Sequence, residues 1–362
     1  MRIVVLSFDP VTAVGGVEGR ARSYLKHLLE LGHTVRLYDL SRPARKEAIT
    51  IHEATITFLS PSPQHTFVTL GMIIRDIFSN RPDAIFILSG TGTSIGIATL
   101  VLARLLRIKS GVFIYGKDIL TARMHLIQLW MLRIGLAIAK QIGVNSIATA
   151  RLLPVSAKQI SLLYPGVEPS ITEGFDRASF DSKTILFVGR LVHRKGADDL
   201  IKAFNILVKQ IQDTSLEIVG DGPERVSLEK LSISLGIKDR VHFLGTLTGD
   251  DLYRRYARCT VFCMPSKSLR DDVEGFGTVF IEAALFGKPS VATRSGGMPE
   301  AVVDGETGIL VDEGDAEEIC GALLRLLEDK DLAKRLGANG RKRALSEFTS
   351  QIATERLLKM FD

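Results

Sequence analysis

Short apolar runs alternate with stretches of helical period along most of the chain. In the first half, RIVVLS (2–7), TVRLYDL (34–40), AIFILSG (84–90) and GVFIYG (111–116) are compact apolar runs and read as strands. Between them, VEGRARSYLKHLLELG (17–32) repeats its apolar positions at helical spacing and stops on a glycine, and TGTSIGIATLVLARLL (91–106) reads as a well-buried helix. In the second half the strands are TILFVG (184–189), SLEIVG (215–220), RVHFLG (240–245), TVFCMP (260–265) and PSVATR (289–294). The helices between them are GADDLIKAFNILVKQI (196–211), PERVSLEKLSISLG (223–236), GDDLYRRYARC (249–259) and GTVFIEAALFG (277–287).

Strand–helix alternation occurring twice over predicts an α/β chain with two Rossmann-like, doubly wound parallel sheets facing each other across a cleft. A length of 362 residues suits two domains better than one core. The stretch YPGVEPSITEGFDRASFDSK (164–183), rich in proline, glycine and polar residues, marks the boundary. The expected division is residues 1–170, residues 171–345, and a last helix from 346 to 362.

Open parallel sheets bind ligands at the carboxyl ends of their strands, so the loops there carry the candidate chemistry. After the first strand, FDPVTAVGGVEGR places Gly15 and Gly16 at a helix start, where backbone amides can approach a phosphate. The G-x-G-x-x-G spacing of a nicotinamide-type dinucleotide site is absent, although Asp39 ends the second strand as a ribose acid would. After TILFVG, the segment GRLVHRKGADDL carries Arg190 and Lys195 around the turn into a helix. Cations there oppose the helix dipole unless an anion such as a diphosphate sits with them; as solvated surface cations they would need none. After TVFCMP, the segment SKSLRDDVEGFGTVFIEA sets Glu274 in a glycine-punctuated loop and Glu282 eight residues on, inside a helix. Gly275 and Gly277 allow the tight loop, and the amides from Phe276 to Thr278 are free at the new helix start. Glu282 could accept from ribose hydroxyls or serve only the dipole; Glu274 could meet a second polyol or stay a solvated loop acid.

Composition narrows the classes. Hydrophobic content of 46% and charged content of 24% predict a packed globular chain. No apolar run is long enough to span a bilayer, and MRIVVLSFDP reads as a buried strand rather than a leader, so a cytoplasmic placement is expected. Cys259, Cys263 and Cys320 are expected as reduced thiols, the first two packed in a core. The net charge of +5 is uneven: residues 1–170 hold 19 basic and 10 acidic residues, so the first half is the basic one. A basic half suits an anionic surface or acceptor, or is a solvated face. The absence of basic runs with interleaved aromatics argues against nucleic acid.

The segments GGVEG, VGRLVHRKG, VGDGPE and EGFGTVFIEA followed by SGGMPE resemble the retaining family 4 glycosyltransferases of GT-B fold, and Glu274 and Glu282 match that family's E-x7-E motif. The likeness covers nearly the whole chain, is densest over 184–311, and near 270–301 is similar to the phosphatidylinositol mannosyltransferase branch. It implies a hexosyltransferase acting with a nucleotide sugar as substrate, without cofactor or bound metal. Arg190 and Lys195 would bind the donor diphosphate, and with Glu274 form the catalytic set. Glu274 and the backbone of Gly275, Phe276, Gly277 and Thr278 would hold the sugar, Glu282 the ribose, and Gly16 would let its loop close over the phosphates. The base would lie near HFLGT (242–246), and the last helix would cross back to the first domain. The branch points to GDP-mannose, with UDP-glucose and UDP-N-acetylglucosamine open.

One segment departs from the family. Where many members carry H-G-x-[DE], this chain has Tyr115 and Asp118 in FIYGKDIL. Tyrosine can hydrogen-bond a sugar hydroxyl but carries no charge near neutral pH. Three readings stay open: Tyr115 substitutes, His125 reaches in, or the donor differs. The acceptor, a lipid or glycan, belongs to the first domain. There LTARMHLIQLWMLRIGLAIAKQIG (120–143) reads as one helix with Arg123, Arg133 and Lys140, either buried or docked peripherally on the inner face of an anionic membrane. The alternatives are a nucleotide-sugar epimerase of the same fold and a non-catalytic nucleotide-sugar binder.

Overall fold

The computed structural model describes residues 1–8, 16–41, 49–51, 54–58, 66–154, 160–175 and 182–362. Gly15, with the rest of the 9–15 loop, and the 176–181 part of the expected boundary lie outside them. The chain divides into one unit of Met1–Gly166 with Ser350–Asp362 and a second of Val167–Thr349. These divisions fall a few residues from 170/171 and 345/346. Val167 pairs with Thr349 in an isolated bridge, and its amide donates to the Phe348 carbonyl at 2.8 Å. That bridge draws both crossings of the chain to one place.

The first unit runs β1 (Arg2–Ser7), α1 (Gly16–Glu30), β2 (Thr34–Asp39), β3 (Ile49–Ile51), β4 (Ala54–Phe58), α2 (Thr66–Asn80), β5 (Ala84–Ile87), α3 (Ser94–Leu105), β6 (Lys109–Ile114), α4 (Gly116–Arg123), α5 (Leu126–Ile138), β7 (Gln141–Val144), α6 (Ile147–Leu152) and β8 (Ile160–Leu162). The second runs β9 (Thr184–Val188), α7 (Ala197–Leu207), β10 (Ser215–Val219), α8 (Arg225–Ser234), β11 (Val241–Gly245), α9 (Gly249–Arg258), β12 (Val261–Met264), α10 (Thr278–Leu285), β13 (Ser290–Thr293), α11 (Met298–Ala301), β14 (Gly308–Val311), α12 (Ala316–Glu328) and α13 (Lys330–Glu347). The last helix, α14 (Ser350–Lys359), belongs to the first unit.

Each sheet is doubly wound. The second has the order β11-β10-β9-β12-β13-β14, all parallel, which is the order of dinucleotide-type folds. The first has the order β3-β4-β2-β1-β5-β6-β7-β8. It is not wholly parallel as expected: β3 pairs with β4 antiparallel at the edge, where a short return needs no crossover helix. The helix expected over 120–143 is also corrected. It breaks at His125, whose extended backbone precedes α5, and its last residues form β7.

The inner strands β1, β5 and β6 of the first sheet are buried on both faces. One face packs Tyr24, Leu25 and Leu28 of α1 with Leu357, Met360 and Phe361 from the chain's end. The other packs Ile73 and Ile77 of α2, Ile95 and Leu100 of α3, and Leu132 and Leu136 of α5. The cysteines are free and buried. Burial pushes the Cys259 thiol up to about 12, so it behaves as an apolar group.

Phe361 is buried and meets the Phe86 ring edge to face at 6.2 Å between centroids. Phe361→Ala should cost about 3–5 kcal/mol of the first unit's stability, read by urea denaturation. A loss below about 1 kcal/mol would show that the chain's end is only loosely docked.

Candidate active site

In the second sheet β9 and β12 are neighbours, but their connections leave toward opposite edges. No crossover covers the carboxyl ends of this pair, which opens a crevice there. The loop 189–196 leaves β9 and the loop 265–277 leaves β12. The topology therefore brings together two basic and two acidic side chains that lie about eighty residues apart in sequence.

Arg194 and Lys195 sit on a 3-10 turn, His193–Lys195, just before α7. The Arg194 guanidinium donates from Nε to Asp272 Oδ2 at 2.9 Å and from Nη1 to Glu274 Oε2 at 2.7 Å. The Lys195 ammonium reaches the same Glu274 oxygen at 2.5 Å. Arg194 and Glu274 are almost fully buried. Burial alone would push the Glu274 carboxyl up, but Lys195 and Arg194 outweigh it and hold it at about 2. The same carboxylates raise Arg194 against a burial that would lower it. The result is a fixed negative group between fixed positive ones, charged across the physiological range.

The backbone is pinned as well. The Gly297 amide donates to the Glu274 carbonyl at 2.9 Å. A Cβ on Gly296, whose φ is +52°, would lie 2.3 Å from that carbonyl, so the SGG turn after β13 can close on the glutamate only as glycine. Gly277 takes φ +87° to start α10, and the Phe280 amide donates to its carbonyl at 3.0 Å. Among the described residues the Gly277, Thr278 and Val279 amides have no backbone acceptor, which leaves the positive end of α10 available to an anion. Phe276 is buried and packs on the Phe348 ring at 5.3 Å, anchoring this loop in the core. Gly275 lies in the loop between Glu274 and Phe276 and is half-buried.

Glu282 points from the second turn of α10 and accepts from the Tyr256 hydroxyl at 2.7 Å. Burial raises its pKa; the tyrosine bond works the other way. The Tyr256 ring is fully buried and stacks on Phe286, so its hydroxyl is held in place on α9.

Arg190, expected beside Lys195, follows β9 on the same loop but is exposed and makes no ion pair among the described residues. Lys195 already has a counter-ion, Glu274, so its charge does not require an outside anion. Sequence reasoning missed Arg194, Asp272 and Tyr256. Arg194 and Asp272 are written in RKG and RDDVEG, but only the 3-10 turn shows that Arg194 points inward. Tyr256 is one of the two apolar-facing tyrosines of LYRRYA, and nothing in the spacing marks it as the partner of Glu282.

The remaining expected residues lie in the first unit. Gly16 opens α1. Tyr115 stands at the N-cap of α4 with its ring on Phe113 at 4.7 Å. Its amide donates to Asp118 Oδ2 at 3.0 Å, so Asp118 caps the helix it belongs to. His125 is exposed at the α4–α5 break. HFLGT overlaps β11, the edge strand, and the Gly245 carbonyl accepts from the Gly220 amide at 2.7 Å.

Two doubly wound units, one with a charged crossover site, define the chain as GT-B in fold. Solved structures agree: the chain resembles sucrose-phosphate synthase from Thermosynechococcus elongatus at a TM-score of 0.80 and 22% identity, covering 99% of this chain and 98% of that one. Anabaena HepE in complex with UDP and glucose matches at 0.77 and 19% identity, covering 99% and 98%. The family model "Glycosyl transferases group 1" matches residues 173–343, and "Glycosyltransferase Family 4" matches 14–171. The chain belongs to the group 1, family 4 glycosyltransferases. It is 38% identical over 182 residues to a GDP-mannose-dependent alpha-(1-6)-phosphatidylinositol monomannoside mannosyltransferase of Mycolicibacterium smegmatis, covering 50% of this chain and 48% of that protein. It is 35% identical over 182 residues to the lipopolysaccharide core biosynthesis glycosyltransferase LpsD of Rhizobium meliloti, 50% of each. The matched segment thus spans about half the length of these relatives.

Two outcomes test the electrostatics. Because Glu274 titrates at about 2 rather than 4.5, its stabilisation is complete above the ordinary carboxylate pKa and fades as pH falls from 4.5 toward 2. Glu274→Gln should therefore cost about 3 kcal/mol at pH 7, and the gap to the parent should narrow below pH 4.5 in urea titrations. A gap that does not change with pH would show that the glutamate is not held ionised by its neighbours. Glu282 has the opposite sign: its raised pKa makes the ionised form oppose folding above the ordinary range. Glu282→Gln should raise the melting temperature at pH 7, and a lowered one would remove burial as the main influence on this carboxyl.

Proposed function

We propose that the protein transfers a hexosyl unit from a nucleotide sugar to a lipid-linked acceptor, with GDP-mannose as the donor. The observation that carries this reading is the cluster at the β9/β12 crossover, where Lys195 and Arg194 hold Glu274 a few residues before the open amide end of α10. Family membership supports the reaction class, and the mannosyltransferase likeness favours this donor and acceptor. The likeness to LpsD keeps a glycan acceptor within the same reading.

In this reading the donor diphosphate lies against the free amides of α10 and the cations of the 189–196 loop. Arg190, exposed and without a counter-ion, turns onto the diphosphate, and Lys195 shares its charge between the phosphate and Glu274. The ribose hydroxyls donate to Glu282, whose geometry Tyr256 sets. Glu274 accepts from the sugar hydroxyls, which is why it must stay ionised while buried. The bond from the anomeric carbon to the phosphate oxygen breaks, and the acceptor oxygen bonds that carbon on the same face. The acceptor proton passes to the leaving diphosphate, so no side chain need act as base and configuration is retained. Fixed cations and helix amides stabilise the leaving group, the role a divalent ion plays elsewhere, so the transfer is proposed to be metal-independent. Tyr115 and Asp118 are not assigned a role in the chemistry.

A thermal-shift panel of GDP-, UDP- and ADP-sugars tests the donor site. GDP-mannose should raise the melting temperature, and Glu282→Ala should abolish the shift, because a ligand stabilises only what binds it. Radiolabelled mannose should then enter a phosphatidylinositol-containing lipid fraction in the presence of EDTA, with a loss of roughly 100-fold or more in Glu274→Ala. A shift with UDP-sugars alone would replace mannose. Binding with neither transfer nor donor hydrolysis would favour the non-catalytic binder.

A further inference from the structure

Helices α2, α3 and α5 cover one face of the first unit's sheet, burying Ile73, Ile77, Leu100, Leu132 and Leu136 beneath them. α3 packs against both α2 and α5, so the three form one layer. A layer of this kind should be polar outside. Here its outer side is apolar at several places. Leu126 is 86% exposed, Ile127 75% and Trp130 66%, and Met124 is exposed at the break before them. Leu105, at the end of α3, is 75% exposed, and Met72 of α2 is exposed too. On α5 the exposed positions 126, 130, 133 and 137 follow one helical stripe, opposite the buried Leu132 and Leu136. Leaving Leu126, Ile127 and Trp130 in water forgoes the burial such side chains gain elsewhere in the fold.

The charge around this layer selects the occupant. Residues 66–154 hold ten basic side chains and three acids. Asp76 is paired with Arg36, Asp83 with Arg2, and Asp118 caps α4. Arg104, Arg107, Lys117, Arg133 and Lys140 are exposed. A second copy of the chain would set cation against cation. An anionic bilayer would accept both features: its headgroups pair with lysine and arginine, and its interface is the preferred depth of an exposed tryptophan.

We propose that the outer side of the α2–α3–α5 layer docks on an anionic lipid bilayer, with the elbow from Met124 to Trp130 entering the headgroup boundary. The proposal deepens the lipid-acceptor reading and takes from it the reason for a membrane contact. No helix among the described residues is long and apolar enough to cross a membrane, so the docking is to one surface. The break at His125 has a use here: it tips α5 so that consecutive residues Leu126 and Ile127 both emerge.

Trp130 is the chain's single tryptophan, so its emission reports this surface alone. Vesicles of phosphatidylcholine with phosphatidylglycerol should shift its emission to the blue, and bromine-labelled acyl chains should quench it. Pure phosphatidylcholine should do either far more weakly, and added salt should weaken the anionic response. Leu126→Glu/Ile127→Glu, both at exposed positions, should lose at least tenfold in vesicle affinity without a change in melting temperature. Vesicle binding that leaves Trp130 emission as in buffer would overturn the proposal and place the contact elsewhere. No binding to any vesicle would overturn it too, as would a blue shift that needs no vesicles and grows with protein concentration, which would mean a second copy. The GDP-mannose thermal shift, measured on the same samples without lipid, fails only if the donor reading fails.

Discussion

A carboxylate buried at the end of a parallel sheet stays ionised only if nearby cations outweigh the cost of its burial. Glu274 meets that condition through Lys195 and Arg194, and much of the second unit is arranged around the requirement. The order of strands sets β9 beside β12, so that the two loops meet. Gly296 lets the turn after β13 close on the glutamate's carbonyl, and Phe276 ties the loop into the core. Asp272 accepts from Nε of Arg194, which keeps that guanidinium from turning away. Taking away one cation leaves the buried carboxylate with a single partner, which is costlier than losing a surface pair.

Glu282 is built on the opposite principle. It sits eight residues along, on a helix whose first amides are open, and burial raises its pKa with no cation to outweigh it. The Tyr256 hydroxyl donates to it. A site with one carboxylate locked and another kept under electrostatic strain can bind a polar ligand without first paying to reorganise itself. On the proposed donor reading, stability and binding pull apart at Glu282.

Much of this was legible in the sequence. The alternation of apolar runs and helical periods gives both sheets, because fully buried parallel strands have few other ways to be written. Glu274, Glu282, Gly277 and Lys195 stand out since glycines and charges punctuate strand ends. Arg194 did not, because one residue of rotation on a 3-10 turn decides whether a side chain faces in or out. Tyr256 did not either, since its role depends on α9 and α10 meeting in space. The stretch from 120 to 143 misled for a physical reason: its exposed side is apolar, so the amphipathic contrast that marks helix limits is missing. The same lack of contrast marks the surface that calls for a partner.

The two units thus carry separate problems, an anion to be held in one and an apolar surface to be covered in the other. The central claim concerns the first. Hydrogen exchange of backbone amides with and without GDP-mannose tests it directly, because the proposed contacts are amides as much as side chains. Exchange should slow at 277–280, at the start of α10, and along 189–196. Protection that leaves these segments unchanged while appearing elsewhere would contradict it.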